Sequence, residues 1–310
     1  MNVLVTGGAG FIGSHLVDKL LEQNQKVIVI DDFSLGKEEN LEQHNNNQNL
    51  TIYKKSICED LTNIFKENKI ETVFHVAALP RVQFSIQNPI ETHNANVNGT
   101  INLLNLCKKF NAKRFIFSSS SSIYGDQDKL PLQETFTPNP MSPYALHKLI
   151  GEHYCTLFHK LYKIETINLR YFNVYGPRQS PDGGYACLIP KFIKLISSNT
   201  QPTINGDGNQ TRDFTYVSDV VEVNVLASKA NNKECFGEAF NIGSGNNFSV
   251  NQITENLIKL SNKSIKPIHG PQVIEPKNTL ADINKVKTLL RWAPKIKLQD
   301  GLRMTYEHFT

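Results

Sequence analysis

Residues 2–23 read NVLVTGGAGFIGSHLVDKLLEQ. NVLVT is a short β-branched run, TGGAGFIG (Thr6–Gly13) is a turn with glycines at Gly7, Gly10 and Gly13, and FIGSHLVDKLLEQ has apolar residues at helical spacing. Strand, tight glycine turn and helix in that order open an α/β unit. The runs KVIVIDD, NLTIYKKS, TVFHVAA, RFIFSSS and ETINLRYFN follow, with helical patterns between most of them. Continuous apolar strands alternating with helices predict a doubly wound parallel sheet covered on both faces. After about Asn173 the texture changes to the Pro/Gly-rich GPRQSPDGG, the helix-like IPKFIKLISS and the turn NGDGNQT. The tail TLADINKVKTLLRWAPKIKLQDGL reads as helix, proline-containing break, helix. The expected fold is α/β, with a Rossmann-type domain over residues 1–172 that regains a segment near 213–242. A smaller, discontinuous C-terminal lobe takes residues 173–212 and 243–310, and a ligand crevice between the two is expected.

Composition removes several classes. The 310 residues carry a net charge of +4 and are 39% hydrophobic, with no dense basic run, so nucleic acid is not an expected partner. Cys58, Cys107, Cys155, Cys187 and Cys235 are widely spaced and form no CxxC, which predicts reduced thiols and no metal site. No apolar run approaches the roughly 20 residues of a membrane span. With the first strand beginning at Asn2, no leader peptide is expected, and the chain reads as cytoplasmic.

The glycine turn suits a dinucleotide. The turn must be tight, the backbone must approach a pyrophosphate, and the N–H groups of the helix that starts at Phe11 and Ile12 must face it. It is not a P-loop, because Ser14-His15 stands where Lys-Ser/Thr is needed. Asp31 ends the second strand, eighteen residues after Gly13. An acid there accepts from ribose hydroxyls and repels a 2′-phosphate, and DDFSLG (Asp31 to Gly36, with Asp32, Phe33 and Ser34) brings no arginine or lysine. NAD is the expected cofactor; a solvated loop acid is the other reading of Asp31.

SPYALHKL places Tyr144 and Lys148 four residues apart, on one helical face. A free tyrosine, with a pKa of about 10, is a poor base. A neighbouring ammonium and a cationic nicotinamide would favour the phenolate, which could take a hydroxyl proton while hydride leaves the same carbon. Alone, the pair reads equally well as a surface i,i+4 contact; the upstream cradle favours chemistry. The run FSSSSSIYGD (Phe117–Asp126) then has a meaning, because ligands of such sheets lie beyond the carboxyl ends of the strands. Ser120 would reach that edge and share the proton with Tyr144. Ser121 and Ser122 would line a sugar pocket or face inward.

TGGAGFIG, DDFS, FHVAAL, NVNGT, SSSSSIYGD, SPYALHK, RYFNVYGPRQ, NGDGNQTRDFTYV and TLADINK occur in the order found in extended short-chain dehydrogenase/reductases. The chain most resembles their nucleotide-sugar 4-epimerases, particularly those acting on UDP-glucose and UDP-N-acetylglucosamine. The resemblance implies Tyr144 as base, Lys148 on the nicotinamide ribose and Ser120 as third member. It implies further cofactor contacts from Ser56, Ile57, Ala77, Ala78, Asn96 and Tyr171. Asn173 and Arg212 would hold the sugar-nucleotide diphosphate, with Arg81, Ser122, Leu188, Asn205, Gln272 and Thr279 also on the substrate. Gln272 replaces a usual arginine, for which Lys277 could compensate; Thr279 is small where some relatives are bulky. Related 4,6-dehydratases carry acids where this chain has Ser121 and Ser122, and related decarboxylases carry a glutamate in that loop. What remains is oxidation and re-reduction at one carbon. A 4-epimerase of another nucleotide sugar such as UDP-glucuronate, an NAD-dependent reductase and a non-catalytic NAD-binding regulator are the alternatives. NVNGTINLLNLCKKF and YALHKLIGEHYCTLFHKLY have apolar stripes wider than one core face needs, and by resemblance they pair as a four-helix bundle in a homodimer.

Overall fold

The computed structural model describes residues 1–182, 187–273 and 276–310. Parts of GPRQSPDGGYACLIPKF and GPQVIEP therefore lie outside the described residues. The first half alternates as the periodicity requires: β1 (Asn2–Thr6), α1 (Phe11–Glu22), β2 (Lys26–Asp31), β3 (Leu50–Lys54), α2 (Thr62–Asn68) and β4 (Thr72–His75). Two short helices, α3 (Val82–Gln87) and α4 (Pro89–His93), lead through a π-helical turn at Asn94–Asn98 into α5 (Gly99–Phe110). Then come β5 (Arg114–Ser120), the 20-residue α6 (Pro143–Tyr162), β6 (Glu165–Tyr171) and β7 (Val174–Tyr175). The remainder comprises α7 (Leu188–Ser197), β8 (Thr203–Asn205), β9 (Thr211–Arg212), β10 (Thr215–Tyr216), α8 (Val217–Ser228) and β11 (Glu238–Ile242), and then β12 (Phe248–Ser249), α9 (Val250–Ser261), β13 (Ile268–Gly270), α10 (Asn284–Leu289) and α11 (Leu298–Phe309).

Seven strands form one parallel sheet in the order β11-β6-β5-β4-β1-β2-β3. Residues alternate between its two faces with the strand period of two. Val3, Val5, Val27 and Val29 face the core packed by Leu16 and Leu20 of α1 and Val220 and Val223 of α8. Leu4, Ile28, Ile30, Phe115 and Phe117 face the opposite core, packed by Phe65 of α2, Leu103 and Leu104 of α5 and Cys155 of α6. A third core unites Phe192 and Ile193 of α7, Ile253 and Leu257 of α9 and Leu302 of α11. The chain runs outward from β1 to β3 and returns to β4 on the other side of β1. That reversal opens a crevice beyond the carboxyl ends of β1 and β4.

The two long helices differ in what they leave outward. α5 turns its apolar Leu103, Leu104, Leu106 and Cys107 inward, and its exposed positions are Asn105, Lys108 and Lys109. Ile101 and Phe110 of the same helix are half-buried. On α6 the surplus is real, because Leu146 is 46%, Leu157 45% and Leu161 59% exposed.

Gly151 lets α6 lie close to β5. A Cβ there would stand 2.4 Å from Phe117 Cζ and 2.8 Å from its Cε1. Gly151→Ala should therefore destabilise the fold by about 1–3 kcal/mol, measured as a lowered urea midpoint at unchanged m-value.

Candidate active site

The turn after β1 is shaped by what glycine omits. Gly7 has φ +68°, and a Cβ on it would stand 2.8 Å from the Ala77 backbone N and Cα, just past β4. A Cβ on Gly13 would stand 2.0 Å from the Gly7 carbonyl oxygen. Gly8, which motif spacing did not single out as part of the cradle, is equally confined, since its Cβ would meet the Val29 side chain at 2.7 Å. Gly10 is the N-cap of α1, no side chain caps that helix, and its first turn carries no acid. The positive end of α1 thus opens on the crevice, as a pyrophosphate requires.

Asp31 does more than sequence reasoning assigned. It is buried at the tip of β2, and its two carboxylate oxygens accept from the Ala9 N–H at 2.9 Å and the Phe33 N–H at 2.8 Å. It ties the glycine turn to the next loop while keeping lone pairs for ribose hydroxyls. Burial pushes its pKa up. Asp32 accepts from the Ser34 N–H and hydroxyl, and Gly36 packs against the Asp31 carboxylate. Ser56 opens a turn in which its hydroxyl accepts from the Cys58 N–H, and Ile57 packs against Gly99. Asn96, in the π turn, clasps the Leu79 backbone through both side-chain atoms, at 2.8 and 3.1 Å. These residues and the open α1 terminus fit NAD: Gly10, Phe11, Ile12 and Gly13 would hold its pyrophosphate and Asp31 its ribose.

The serine run resolves residue by residue. The Ser118 carbonyl accepts from Lys148 Nζ at 2.7 Å, and its hydroxyl pairs with the Tyr171 hydroxyl at 3.1 Å. Ser119 donates to Glu152 Oε1 at 2.5 Å. Ser120 lies beside Tyr144, close enough to oppose the rise in its pKa. Ser122 has a buried hydroxyl with no hydrogen-bond partner among the described residues. Tyr171, expected on the cofactor, has its hydroxyl bonded to Ser118 and Asn224 inside the domain. Only the rest of that residue is left to face a ligand.

Tyr144 sits in the first turn of α6. Its N–H donates to Ser85 Oγ at 3.1 Å, while Ser142 caps the helix by accepting from the Ala145 N–H at 3.2 Å. Lys148, one turn on, is buried, with Nζ 4.9 Å from the Phe117 ring centroid and 5.9 Å from that of Tyr144. Glu152, a further turn on, pairs with Arg170 at 2.7 Å in the interior, and Arg170 also donates to the Tyr124 hydroxyl at 2.8 Å. Sequence reading missed this pair; charged residues inside the apolar NLRYFN and on the face of α6 that carries Lys148 were the available signal.

The electrostatics show how much of the task falls to the nicotinamide. Burial pushes the Tyr144 pKa up to about 12, against the opposing influence of Ser120, and burial brings Lys148 down to about 8. Lys148 alone does not make a phenolate, since desolvation disfavours both charged forms.

The lobe gathers the substrate candidates around Asp213. Its buried carboxylate accepts from the Ser244 N–H and hydroxyl, the Gly245 N–H and the Ala281 N–H. Beside it, Arg212 Nη1 donates to the Thr211 and Lys277 carbonyls, bringing the Lys277 backbone next to Arg212. Asn173 donates to the Asp213 carbonyl, and Thr279 Oγ1 faces the Asp213 N–H at 3.4 Å. Gln272 lies over Gly206, next to the exposed Asn205. Leu188 starts α7, and Arg81 is the N-cap of α3. Among the described residues, no group of three or more His, Cys, Asp or Glu side chains could hold a metal ion, and no helix is long and apolar enough to cross a membrane.

Residues 3–243 match the NAD dependent epimerase/dehydratase family, and the chain belongs to it. NAD is its cofactor. The fold is shared nearly end to end with three solved structures. One is the UDP-glucose 4-epimerase of Thermotoga maritima with UDP-glucose (40% identity, TM-score 0.94, covering 100% of this chain and 98% of that one). Another is the UDP-N-acetylglucosamine 4-epimerase of Methanobrevibacter ruminantium in complex with UDP-N-acetylmuramic acid (38%, 0.94, 99% and 97%). The third is the UDP-glucuronic acid 4-epimerase of Bacillus cereus with UDP-glucuronic acid and NAD (38%, 0.93, 100% and 99%).

Tyr144 should ionise above pH 10 in protein stripped of NAD and at lower pH once the cationic nicotinamide is bound. The difference in 295 nm absorbance titration between the native protein and Tyr144→Phe isolates that hydroxyl.

Proposed function

We propose that the protein is a UDP-hexose 4-epimerase acting on UDP-N-acetylglucosamine, UDP-glucose or both, through a transient 4-keto sugar. The observation that carries this reading is the Ser120–Tyr144–Lys148 group at the mouth of the crevice, followed by Ser121 and Ser122 rather than carboxylates. One base suffices for chemistry at one carbon, and a second proton transfer has no group to perform it at those positions. Bound NAD supplies the acceptor for the C4 hydride and its return. Tyr144 takes the 4-hydroxyl proton and gives it back, and Ser120 hydrogen-bonds the same oxygen. Lys148 holds the nicotinamide ribose and places positive charge near the phenol. Arg212 and Asn173 grip the diphosphate, Arg212 in the forked manner that a guanidinium allows. The sugar, held loosely, turns about its diphosphate linkage and presents its other face.

UDP-glucuronate is the second reading. Arg81 lies close enough to Cys187 to oppose the burial that pushes its thiol pKa up, and Cys187 lies close to Tyr144. A cation at that edge suits a C6 carboxylate, and the Bacillus cereus enzyme is a near structural relative. Incubation with UDP-glucose, UDP-N-acetylglucosamine and UDP-glucuronate separately, followed by analysis of the C4 epimers, decides among them. Tyr144→Phe should lower turnover on the accepted sugar by at least about 10²–10⁴-fold; near-native turnover would refute the role of Tyr144.

We also propose a homodimer in which α5 and α6 pair as a four-helix bundle, with the α3–α4 segment beside them. Ile86 is 51%, Ile90 77% and Met141 51% exposed, beside Leu146 at the start of the α6 stripe. Such a run of apolar surface favours burial against a second copy. Sedimentation should give a dimer, and Leu157→Glu a monomer.

A further inference from the structure

His75 closes β4 with 1% exposure, among side chains that the chemistry above does not use. Its Nδ1 lies 2.8 Å from Thr6 Oγ1 and its Nε2 lies 2.8 Å from Thr100 Oγ1. Thr100 donates its single hydroxyl proton to the Asn96 carbonyl at 2.7 Å. A carbonyl can only accept, so Thr100 must accept from the ring, and the proton is on Nε2. The unprotonated Nδ1 then accepts from the Thr6 hydroxyl, whose oxygen accepts the Ala77 N–H at 3.3 Å. At the far end, Asn96 clasps the N–H and carbonyl of Leu79. The chain of bonds leaves the backbone at Ala77 and returns to it at Leu79, so it is closed, and each proton in it has one place. Thr6, Thr100 and Asn96 are each no more than 3% exposed.

We infer that His75 is a positioning residue whose neutral ring holds the Ala77–Leu79 loop against the Gly7 turn, fixing the wall of the NAD cradle. The geometry at the loop supports this. Ala77 presses so closely on Gly7 that a Cβ would overlap its backbone, and a loop free to shift would alter the floor on which the cofactor rests. The π turn is explained too, since it presents the Asn96 side chain to Leu79 and the Asn96 carbonyl to Thr100. Phe115 and Phe117 flank the ring at 5.7 Å each, an apolar wall that offers no substitute partner. Burial, with a lesser contribution from the Lys148 cation, brings the His75 pKa down to about 3, so the ring stays neutral as the circuit requires.

The inference rests on NAD as cofactor and not on the choice of sugar, so its test uses no sugar. His75→Phe fills the site but breaks both bonds; His75→Gln offers an acceptor and a donor. Ile116→Val, in the buried strand beside β4, is the control for general loosening. On the NAD-bound protein, exchange of bound for labelled NAD should be about tenfold faster or more in His75→Phe, since losing a buried hydrogen-bond partner has effects of this order. The Ala77 and Leu79 amides should exchange hydrogen at least tenfold faster. His75→Gln should recover part of both, and the control should stay within twofold of native. Native-like exchange in His75→Phe, or equal acceleration in the control, would overturn the inference. If His75→Phe does not fold, Thr6→Val removes one link of the same circuit and is judged by the same two outcomes.

Discussion

A buried ammonium dictates the rest of this site. Lys148 Nζ has left water and must find acceptors; it finds the Ser118 carbonyl at 2.7 Å and the face of Phe117. An unpaired charge in that position would be prohibitively costly, so the bond fixes how α6 is rotated against β5. Gly151 sets how close the helix can come, and Glu152, bonded to Ser119 and Arg170, fixes its height. With rotation, distance and height set, Tyr144 one turn earlier has one place to be, beside Ser120 at the end of the strand.

The sheet supplies the other half. Reversal of strand order about β1 brings the Gly7 turn and the Ala77 backbone together at one edge. Separate groups of hydrogen bonds brace the loops near the resulting crevice: Asp31 ties the glycine turn to the next loop, His75 and Asn96 the Ala77–Leu79 loop, and Asp213 the segments at Ser244 and Ala281. Such bracing is pre-organised, with its dipoles held in place before any ligand arrives, and electrostatic help of that kind is the larger part of what an active site provides. The cationic nicotinamide then has a defined task, because burial holds Tyr144 neutral and Lys148 alone does not offset it.

The sequence made the scaffold legible because local rules and tertiary structure agree there. A glycine turn between a β-branched run and an amphipathic helix has one reading, and Tyr144 and Lys148 share a helical face whatever surrounds them. The serines were legible only in part. Period two along β5 and its end place Ser120 correctly, but the partners of Ser118 and Ser119 depend on the register of α6, which no local pattern encodes. The partnership of Glu152 with Arg170, and of His75 with Thr6 and Thr100, spans up to 69 residues and leaves only a polar residue in an apolar run as its trace. Desolvation of Tyr144 left no trace in the sequence, because burial of the first turn of α6 depends on the packing around it.

Oxidation and re-reduction of one carbon, with the hydrogen never leaving the crevice, is the chemistry this arrangement supports. It is tested most directly with the accepted UDP-sugar deuterated at C4, turned over to equilibrium in ordinary water and examined by nuclear magnetic resonance at that carbon. The expected result is deuterium retained at C4 in both epimers. Replacement of that deuterium by solvent hydrogen during turnover would contradict it.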